Sequence, residues 1–233
     1  MRIAMSKFCR FELRTTDTEG ARVFYRALLG HDRAAIWPLH EQARAHGAPP
    51  HWLGHLPVDD VEGMAARLVE RGATRLGPTR PTYDGGRAAV FLDPGGAKMA
   101  VSTPPAAGFD RGVDIVWHAL NTRHAETAKK NYCELFGFSI GERVDLGPGG
   151  VFDEFAWDPG GAAVGVIGDL ANRPGVHAQW LFFFEVESLD SSVRAVRDAG
   201  GLALEPIRVP SGVRLCACDD PQGGAFGLLE RAR

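Results

Sequence analysis

Two imidazoles and one carboxylate are placed to act together in the first part of the chain. Arg10 and Glu12 share one face of a predicted strand, because successive side chains of a strand point to opposite faces. His51 and His55 share a face of a later strand for the same reason. A carboxylate with two imidazoles is an acceptable ligand set for zinc or iron. With Lys98, these side chains would otherwise line a partly cationic pocket suited to a carboxylate or a phenolate.

A more apolar set of side chains occurs in the second half. Trp117 and Asn121 share a face of one predicted strand, and Gln179, Leu181 and Phe183 share a face of another. Aromatic rings stack on planar molecules, and a few polar groups then orient them. We therefore favour the second half as the site of a planar or aromatic ligand.

Two further residues of the second half could supply acid–base chemistry. His177 lies just before the strand that begins near Gln179, and Glu185 shares a face with Phe183. Either could act as a general base on a bound substrate, although a histidine in a loop is equally well explained as a solvated residue. No serine or cysteine has a base and a third orienting group in view, and the glycine-rich runs lack the Lys-Ser/Thr of a phosphate loop.

Composition excludes several classes of partner. The net charge of -3 gives no electrostatic reason to expect nucleic acid or an anionic membrane surface. No apolar run approaches the length that spans a bilayer, and the first residues lack the apolar core of a signal peptide. The four cysteines show no CxxC spacing and are expected to be reduced thiols. A cytoplasmic protein is the resulting expectation.

The elements that would position these residues recur along the chain in the order A-B-A′-B′. Gly30 and Gly137 end matching helices of modules A and A′, and Gly72 and Gly200 end matching helices of B and B′. We expect an N-terminal half over 1–105, a linker over 106–112 and a C-terminal half over 113–233.

The two halves differ in length. Module A lies 107 residues before A′ (Gly30 to Gly137), whereas module B lies 128 residues before B′ (Gly72 to Gly200). The first half is therefore shorter, and we place the deletion within 31–50. A deletion of that size removes about two strands, and Leu39–Ala45 could form a short helix in their place. A sheet edge exposed by the deletion would allow a homodimer.

Six motifs carry a resemblance to a known family. The first half contains TTDTEGARVFYRALLG, VDDVEGMAARLVERGA and FLDPGGAKMAV, and the second contains NYCELFG, VESLDSSVRAVRDAGG and CDDPQGGAFGLL. Together they resemble the vicinal oxygen chelate superfamily of glyoxalases, bleomycin-resistance proteins and extradiol dioxygenases, in its tandem-domain form. The resemblance implies an α+β fold in which βαβββ modules pair into cupped, mainly antiparallel sheets with helices on the outer face.

The resemblance also implies where a metal would bind, namely at the first strand of each module and in a last-strand glutamate. None of the corresponding side chains can be a metal ligand here, because one is a permanent cation and the others lack a donor atom. The six positions are Arg10, Leu53, Trp117, Leu181, Ala100 and Gly227.

The sequence therefore predicts a metal-independent protein that holds a planar or aromatic metabolite or drug in a cup, with no cofactor. The alternative is a glyoxalase-like lyase or extradiol-type dioxygenase with a divalent metal at a shifted site of Glu12, His51 and His55. A metal-free enzyme that uses His177 or Glu185 as its base is a further alternative.

Overall fold

The computed structural model describes residues 7–45, 47–110, 112–209 and 212–232, which form five α-helices and sixteen strands. The elements of modules A and B are β1 (Arg10–Thr15), α1 (Thr18–Leu29), β2 (Ile36–Pro38), α2 (Glu41–Ala45), β3 (His51–Pro57), α3 (Val61–Glu70), β4 (Thr74–Arg75), β5 (Arg80–Pro81), β6 (Arg87–Leu92) and β7 (Lys98–Ser102). Those of modules A′ and B′ are β8 (Ile115–Asn121), α4 (Ala125–Phe136), β9 (Ser139–Asp145), β10 (Val151–Ala156), β11 (Gly165–Gly168), β12 (Gln179–Glu185), α5 (Leu189–Asp198), β13 (Leu202–Ala203), β14 (Ile207–Arg208), β15 (Arg214–Asp219) and β16 (Ala225–Glu230).

Local sequence explains the helix boundaries. The carboxylate of Asp17 accepts the N–H of Gly20 at 3.0 Å, and Asp60 accepts that of Gly63 at the same distance. Each carboxylate satisfies a backbone donor that the first turn of a helix leaves without an intrahelical partner. Gly30 ends α1 with a φ of 74°, a left-handed conformation that glycine adopts at little cost.

The predicted loss of two strands from module A is confirmed. Leu13 of β1 pairs in parallel with Ile36 of β2, as Leu120 of β8 pairs with Ile167 of β11. Strand β2 is therefore the counterpart of β11, and β9 and β10 have no counterpart in module A. The missing strands fall before Ile36, and the short helix α2 follows β2 rather than replacing them.

The chain forms two compact units, and neither is one of the sequence halves. Unit 1 contains the described residues of Met1–Arg10, Gly54–Arg111 and His118–Trp180. Unit 2 contains those of Phe11–Leu53, Gly112–Trp117 and Leu181–Arg233. Module B therefore folds with A′ in unit 1, and module A folds with B′ in unit 2.

Each unit is joined by a buried tyrosine from one half and a turn aspartate from the other. In unit 2, the hydroxyl of Tyr25 accepts the Nε1–H of Trp52 at 2.9 Å and donates to Asp220 at 3.1 Å. In unit 1, the hydroxyl of Tyr132 accepts the Nε1–H of Trp180 at 3.0 Å and lies beside Asp93. These contacts explain the grouping of the modules, because they need a helix of one half and a turn of the other.

Helices cover one face of the strands in each unit. Helix α3 packs on β6 and β7, α4 on β9 and β11, and α5 on β15 and β16. We call the opposite face the cup face. The predicted α+β class, with mainly antiparallel sheets and helices on one side, is confirmed.

Candidate functional site

The cup face of unit 1 contains a row of three side chains across adjacent strands. Met99 lines a cleft with Leu68 of α3, so its neighbour Ala100 points to the cup face. His55 of β3 and Val90 of β6 pair with Ala100 on its two sides. The imidazole of His55 therefore lies beside the position at which the family pattern has a glutamate ligand.

A second row on the same face of unit 1 combines an amide with an aromatic ring. Asp153 bonds to Lys129 of α4, so the preceding residue, Phe152, points to the cup face. Asn121 pairs with Gly168, and a Cβ built on Gly168 would lie 2.6 Å from the ring of Phe152. We call Asn121, Gly168 and Phe152 the Asn121 row.

The amide oxygen of Asn121 is the polar atom of this row that can take a ligand. Asn121 is 7% exposed, and its Oδ1 makes no hydrogen bond to any described residue. A buried acceptor without a donor costs free energy, so such an atom calls for a functional or structural reason. A hydroxyl or N–H group of a bound molecule would satisfy it.

Arg10 also belongs to unit 1, where it is fully buried. Its Nη1 donates to the hydroxyl of Ser102 and to the carbonyl of Thr103, both at 2.7 Å. Its Nε and Nη2 donate to one carboxylate oxygen of Asp84, at 3.2 Å and 2.5 Å. Burial acts to raise the pKa of Asp84, but hydrogen bonds from Arg10 and Thr82 outweigh burial and hold that pKa below its ordinary value. The guanidinium is thus neutralised from within the unit.

The structure does not bring Glu12, His51 and His55, the residues of the alternative metal site, together as one group. In the part of the chain that the structure describes, no three His, Cys, Asp or Glu side chains form a group that could hold a metal ion. Glu12 is engaged by the guanidinium of Arg14 at 2.7 Å, and Nδ1 of His51 bonds to the carbonyl of Pro49 at 2.8 Å. Glu12 and His51 are therefore each engaged by another partner.

The ligand set predicted in the second half is divided between the units. Asn121 and Gln179 belong to unit 1, whereas Trp117, Leu181 and Phe183 belong to unit 2. The prediction assumed that each half forms its own cup, and the interleaved grouping of the modules separates its members.

In unit 2, an aromatic ring fills the family's glutamate position. Phe183 pairs with Gly227, and a Cβ built on Gly227 would lie 2.2 Å from the ring. A glutamate there would need the ring to leave. Like Ala100 in unit 1 and the ion-paired Arg10, Gly227 offers no donor side chain to a metal ion.

The acid–base candidates lie outside both rows. His177 is exposed in the loop before β12, and Glu185 is exposed at the end of β12, where Nε of Arg231 donates to both its oxygens at 3.0 Å. A further histidine, His118, stacks on Phe8, and burial lowers its pKa to about 4, so its neutral form is the stable one.

Three residues of these surroundings escaped the sequence analysis, namely Asp84, Ser102 and Phe152. The turn DGG at 84–86 gave the one available signal, since it predicts a hairpin tip between two strands. That the tip would meet Arg10 depends on a contact between residues 74 positions apart, which no local pattern encodes.

Comparisons with known proteins agree with this architecture. The model of the Glyoxalase/Bleomycin resistance protein/Dioxygenase superfamily matches residues 10–101 and 114–228. The candidate glyoxylase CFP32 of Mycobacterium tuberculosis is 27% identical over 95% of this chain and 93% of its own length. The anthracycline biosynthesis protein DnrV of Streptomyces peucetius is 29% identical over 79% of this chain and 67% of its own.

Two solved structures show the same fold at low sequence identity. The 2,3-dioxygenase LapB of Pseudomonas sp. KL28 aligns with a TM-score of 0.61 and 16% identity, over 99% of this chain and 94% of its own. The Mn(II)-bound glyoxalase of Novosphingobium aromaticivorans gives 0.60 and 14%, over 98% and 84%. With the family model matched over both halves, the chain belongs to the glyoxalase/bleomycin resistance/dioxygenase superfamily.

Proposed function

We propose that this protein binds a small, planar organic molecule on the cup face of unit 1, without a metal ion. The observation that carries the proposal is the buried Oδ1 of Asn121, which makes no hydrogen bond to any described residue. In the Asn121 row this acceptor is next to an aromatic ring, and that pairing suits a ring compound with a hydroxyl or N–H group.

The composition of unit 1 supports the choice of this cup. It combines module B with module A′, and both retain all their strands. Unit 2 contains module A, which lacks two of them, and there the ring of Phe183 lies against Gly227. A ligand therefore has more complete walls in unit 1.

The chemistry named for relatives fits an aromatic ligand. Solved structures of the same fold include a 2,2′,3-trihydroxybiphenyl 1,2-dioxygenase and a homoprotocatechuate 2,3-dioxygenase, and DnrV is named for anthracycline biosynthesis. These names describe hydroxylated ring compounds. Our proposal takes the ligand class from them and leaves out the metal chemistry, because the donor residues are missing here.

The free thiols bear on the cellular compartment in which the protein works. All four cysteines are free, and unpaired cysteines are typical of a reducing compartment. We infer that the protein works in the cytoplasm. No helix of the described residues is long and apolar enough to cross a membrane.

A binding screen tests the proposal. Chelator-treated protein should bind members of a panel of hydroxylated aromatic compounds, as measured by thermal shift and calorimetry. Replacement of Asn121 by leucine should weaken binding about tenfold or more, because the ligand's donor loses its acceptor. The matched control is Asn131→Leu, which removes an amide on the helix side of the same unit.

Two results would overturn the proposal. One is the absence of binding across the whole panel, and the other is equal affinity of Asn121→Leu and wild-type protein. Elemental mass spectrometry of protein purified without added metal tests metal independence separately. About one equivalent of a divalent ion would contradict it.

A further inference from the structure

The cup face of unit 1 is covered in this structure. Ala100, Ala119 and Phe152 all lie on that face, and their exposed fractions are 0%, 6% and 7%. These side chains are therefore packed against other parts of the protein. The tip of the β5–β6 hairpin, residues 82–86, contacts Arg10, whose guanidinium bonds to Ser102 on this face.

The hairpin tip is held to the unit through Asp84. Its own backbone bonds are internal, from Thr82 N–H to Gly86 at 2.9 Å and from Gly85 N–H to Thr82 at 3.1 Å. Its attachment to the rest of unit 1 includes the ion pair of Asp84 with Arg10 and the ring contact of Tyr83 with Phe109, with ring centroids 5.6 Å apart. The left-handed φ of 84° at Gly85 allows the tight turn that points Asp84 inward.

In this ion pair, Arg10 lies on strand β1 and Asp84 lies in the hairpin tip. Its guanidinium bonds to Ser102, which lies two positions after Ala100 on the cup face of β7. The same side chain is fully buried, so a cation is fixed next to the row of His55 and Ala100.

The guanidinium of Arg10 binds only one of the two carboxylate oxygens of Asp84. Nε and Nη2 both donate to Oδ2, while Oδ1 accepts the hydroxyl of Thr82 at 2.5 Å. A guanidinium binds a carboxylate best when two parallel N–H groups meet two oxygens. A free carboxylate could form that arrangement, whereas Asp84, tied to Thr82, does not.

We propose that Asp84 occupies the place of a ligand carboxylate and that the 82–86 tip is a lid over this site. An aromatic carboxylic acid displaces Asp84 from Arg10, the tip lifts, and the ring enters the cup face. This inference rests on the proposed function and adds the ligand's charge to it.

The test compares a charged probe with a neutral one of the same shape. Salicylate and its amide, salicylamide, are titrated calorimetrically against wild-type protein and Asp84→Asn. Removal of the competing charge should raise the affinity for salicylate by about tenfold and change that for salicylamide by less than about twofold. The control is Asp59→Asn, which removes an exposed charge elsewhere in unit 1 and should change neither affinity.

A second measurement leaves Asp84 in place and so remains valid if its substitution impairs folding. Hydrogen exchange of the amides of residues 82–86 in wild-type protein should accelerate when salicylate is added and stay constant with salicylamide. A purely structural ion pair predicts no such difference.

The outcomes separate this inference from the proposed function. Equal gains for both probes, no gain for salicylate, or binding of neutral panel members alone would overturn the lid and leave ligand binding intact. No binding of any panel member would overturn both.

Discussion

Each unit contains a buried tyrosine, tryptophan and aspartate that lie together, but the hydrogen bonds of the two tyrosines differ. In unit 2, Tyr25 donates to the carboxylate of Asp220 at 3.1 Å. In unit 1, Tyr132 donates to the sulfur of Met99 at 3.4 Å, and burial raises the pKa of the neighbouring Asp93 to about 6. Burial also raises the pKa of Asp220, so the two units share a buried carboxylate beside the tyrosine and differ in the geometry of the tyrosine's hydrogen bond.

A second comparison concerns matching positions of the two cup faces. His55 lies beside Ala100 in unit 1, and Phe183 lies beside Gly227 in unit 2. An imidazole with a small neighbour leaves polar chemistry on the face, whereas a phenyl ring against a glycine closes it. The duplicated modules have therefore diverged at this position, with an imidazole beside an alanine in unit 1 and a ring packed against a glycine in unit 2.

The largest expected effect is a change in the free energy of unfolding with pH, caused by the raised pKa of Asp93. The folded-state pKa of about 6 exceeds the ordinary 3.8, so the folded state holds its proton more tightly than the unfolded state does. Stability from this group is complete below pH 4 and declines as pH rises toward 6, by about 3 kcal/mol in total. Asp93→Asn should remove this decline.

Chemical denaturation of wild-type and Asp93→Asn protein at several pH values measures the effect as a difference. Other carboxylates cancel in that difference because both proteins contain them. A difference that stays constant from pH 4 to pH 7 would contradict the raised pKa.

The packed cup of unit 2 gives the next largest effect. Gly227→Ala would place a Cβ against the ring of Phe183, and overpacking of this kind costs about 2 kcal/mol. The matching position of unit 1 already carries alanine, so Ala100 provides the natural comparison. A double-mutant cycle with Phe183→Leu, followed by urea denaturation, should show that the smaller side chain relieves the cost. Additive effects would mean that the ring is not the obstacle.

Much of the fold could be predicted because its signals are local. Helix-ending glycines and DPxG turns recur in both halves, and they predicted the repeated modules and the truncation of module A correctly. The grouping of modules into units could not be predicted in this way. Both halves carry the same motifs, so pairing of A with B and pairing of A with B′ satisfy the same patterns, and the contact that decides joins Tyr25 to a residue 195 positions away.

For the candidate site, local sequence patterns reach only as far as the faces of the strands. Strand alternation gave the faces of Arg10, His55 and Asn121, because a period of two residues is a local property. It did not give their partners. Asp84 neutralises Arg10 from a hairpin tip, and Phe152 reaches the Asn121 row across Gly168, so both depend on register between strands that only the folded sheet defines.

A smaller effect distinguishes the two tyrosines. Tyr25→Phe removes a hydrogen bond to a carboxylate, whereas Tyr132→Phe removes one to a thioether, which is a weak acceptor. The first substitution should therefore lower the free energy of unfolding by about 1 kcal/mol more than the second. Urea denaturation at pH 7 measures both free energies of unfolding. Each substitution also removes the acceptor of a tryptophan N–H group, and this loss contributes equally to the two variants. Equal losses would show that the tyrosines are energetically equivalent.

The smallest expected effect concerns the edge that the deletion leaves on β2. Bonds from Leu13 N–H to Ala35 and from Leu39 N–H to Thr15 turn one set of β2 backbone groups toward β1, so the groups of Ile36 and Pro38 point away. The carbonyl of Ile36 accepts a guanidinium N–H of Arg22 at 3.3 Å, and a proline has no N–H to offer.

These two features remove one acceptor and one donor from the pairing that our sequence-based expectation of a homodimer requires, as charged and proline residues commonly do on edge strands. We therefore expect no self-association of the wild-type protein through β2. The double substitution Pro38→Thr with Arg22→Ala would restore one donor and free one acceptor, and it should raise weak dimerisation detectably in sedimentation velocity, with Arg22→Ala alone as the control. Each restored backbone bond contributes about 1 kcal/mol or less, so the dimer should form only at high protein concentration. A wild-type dimer whose affinity the double substitution leaves unchanged would show that copies associate through another surface, and the deletion would then have no role in assembly.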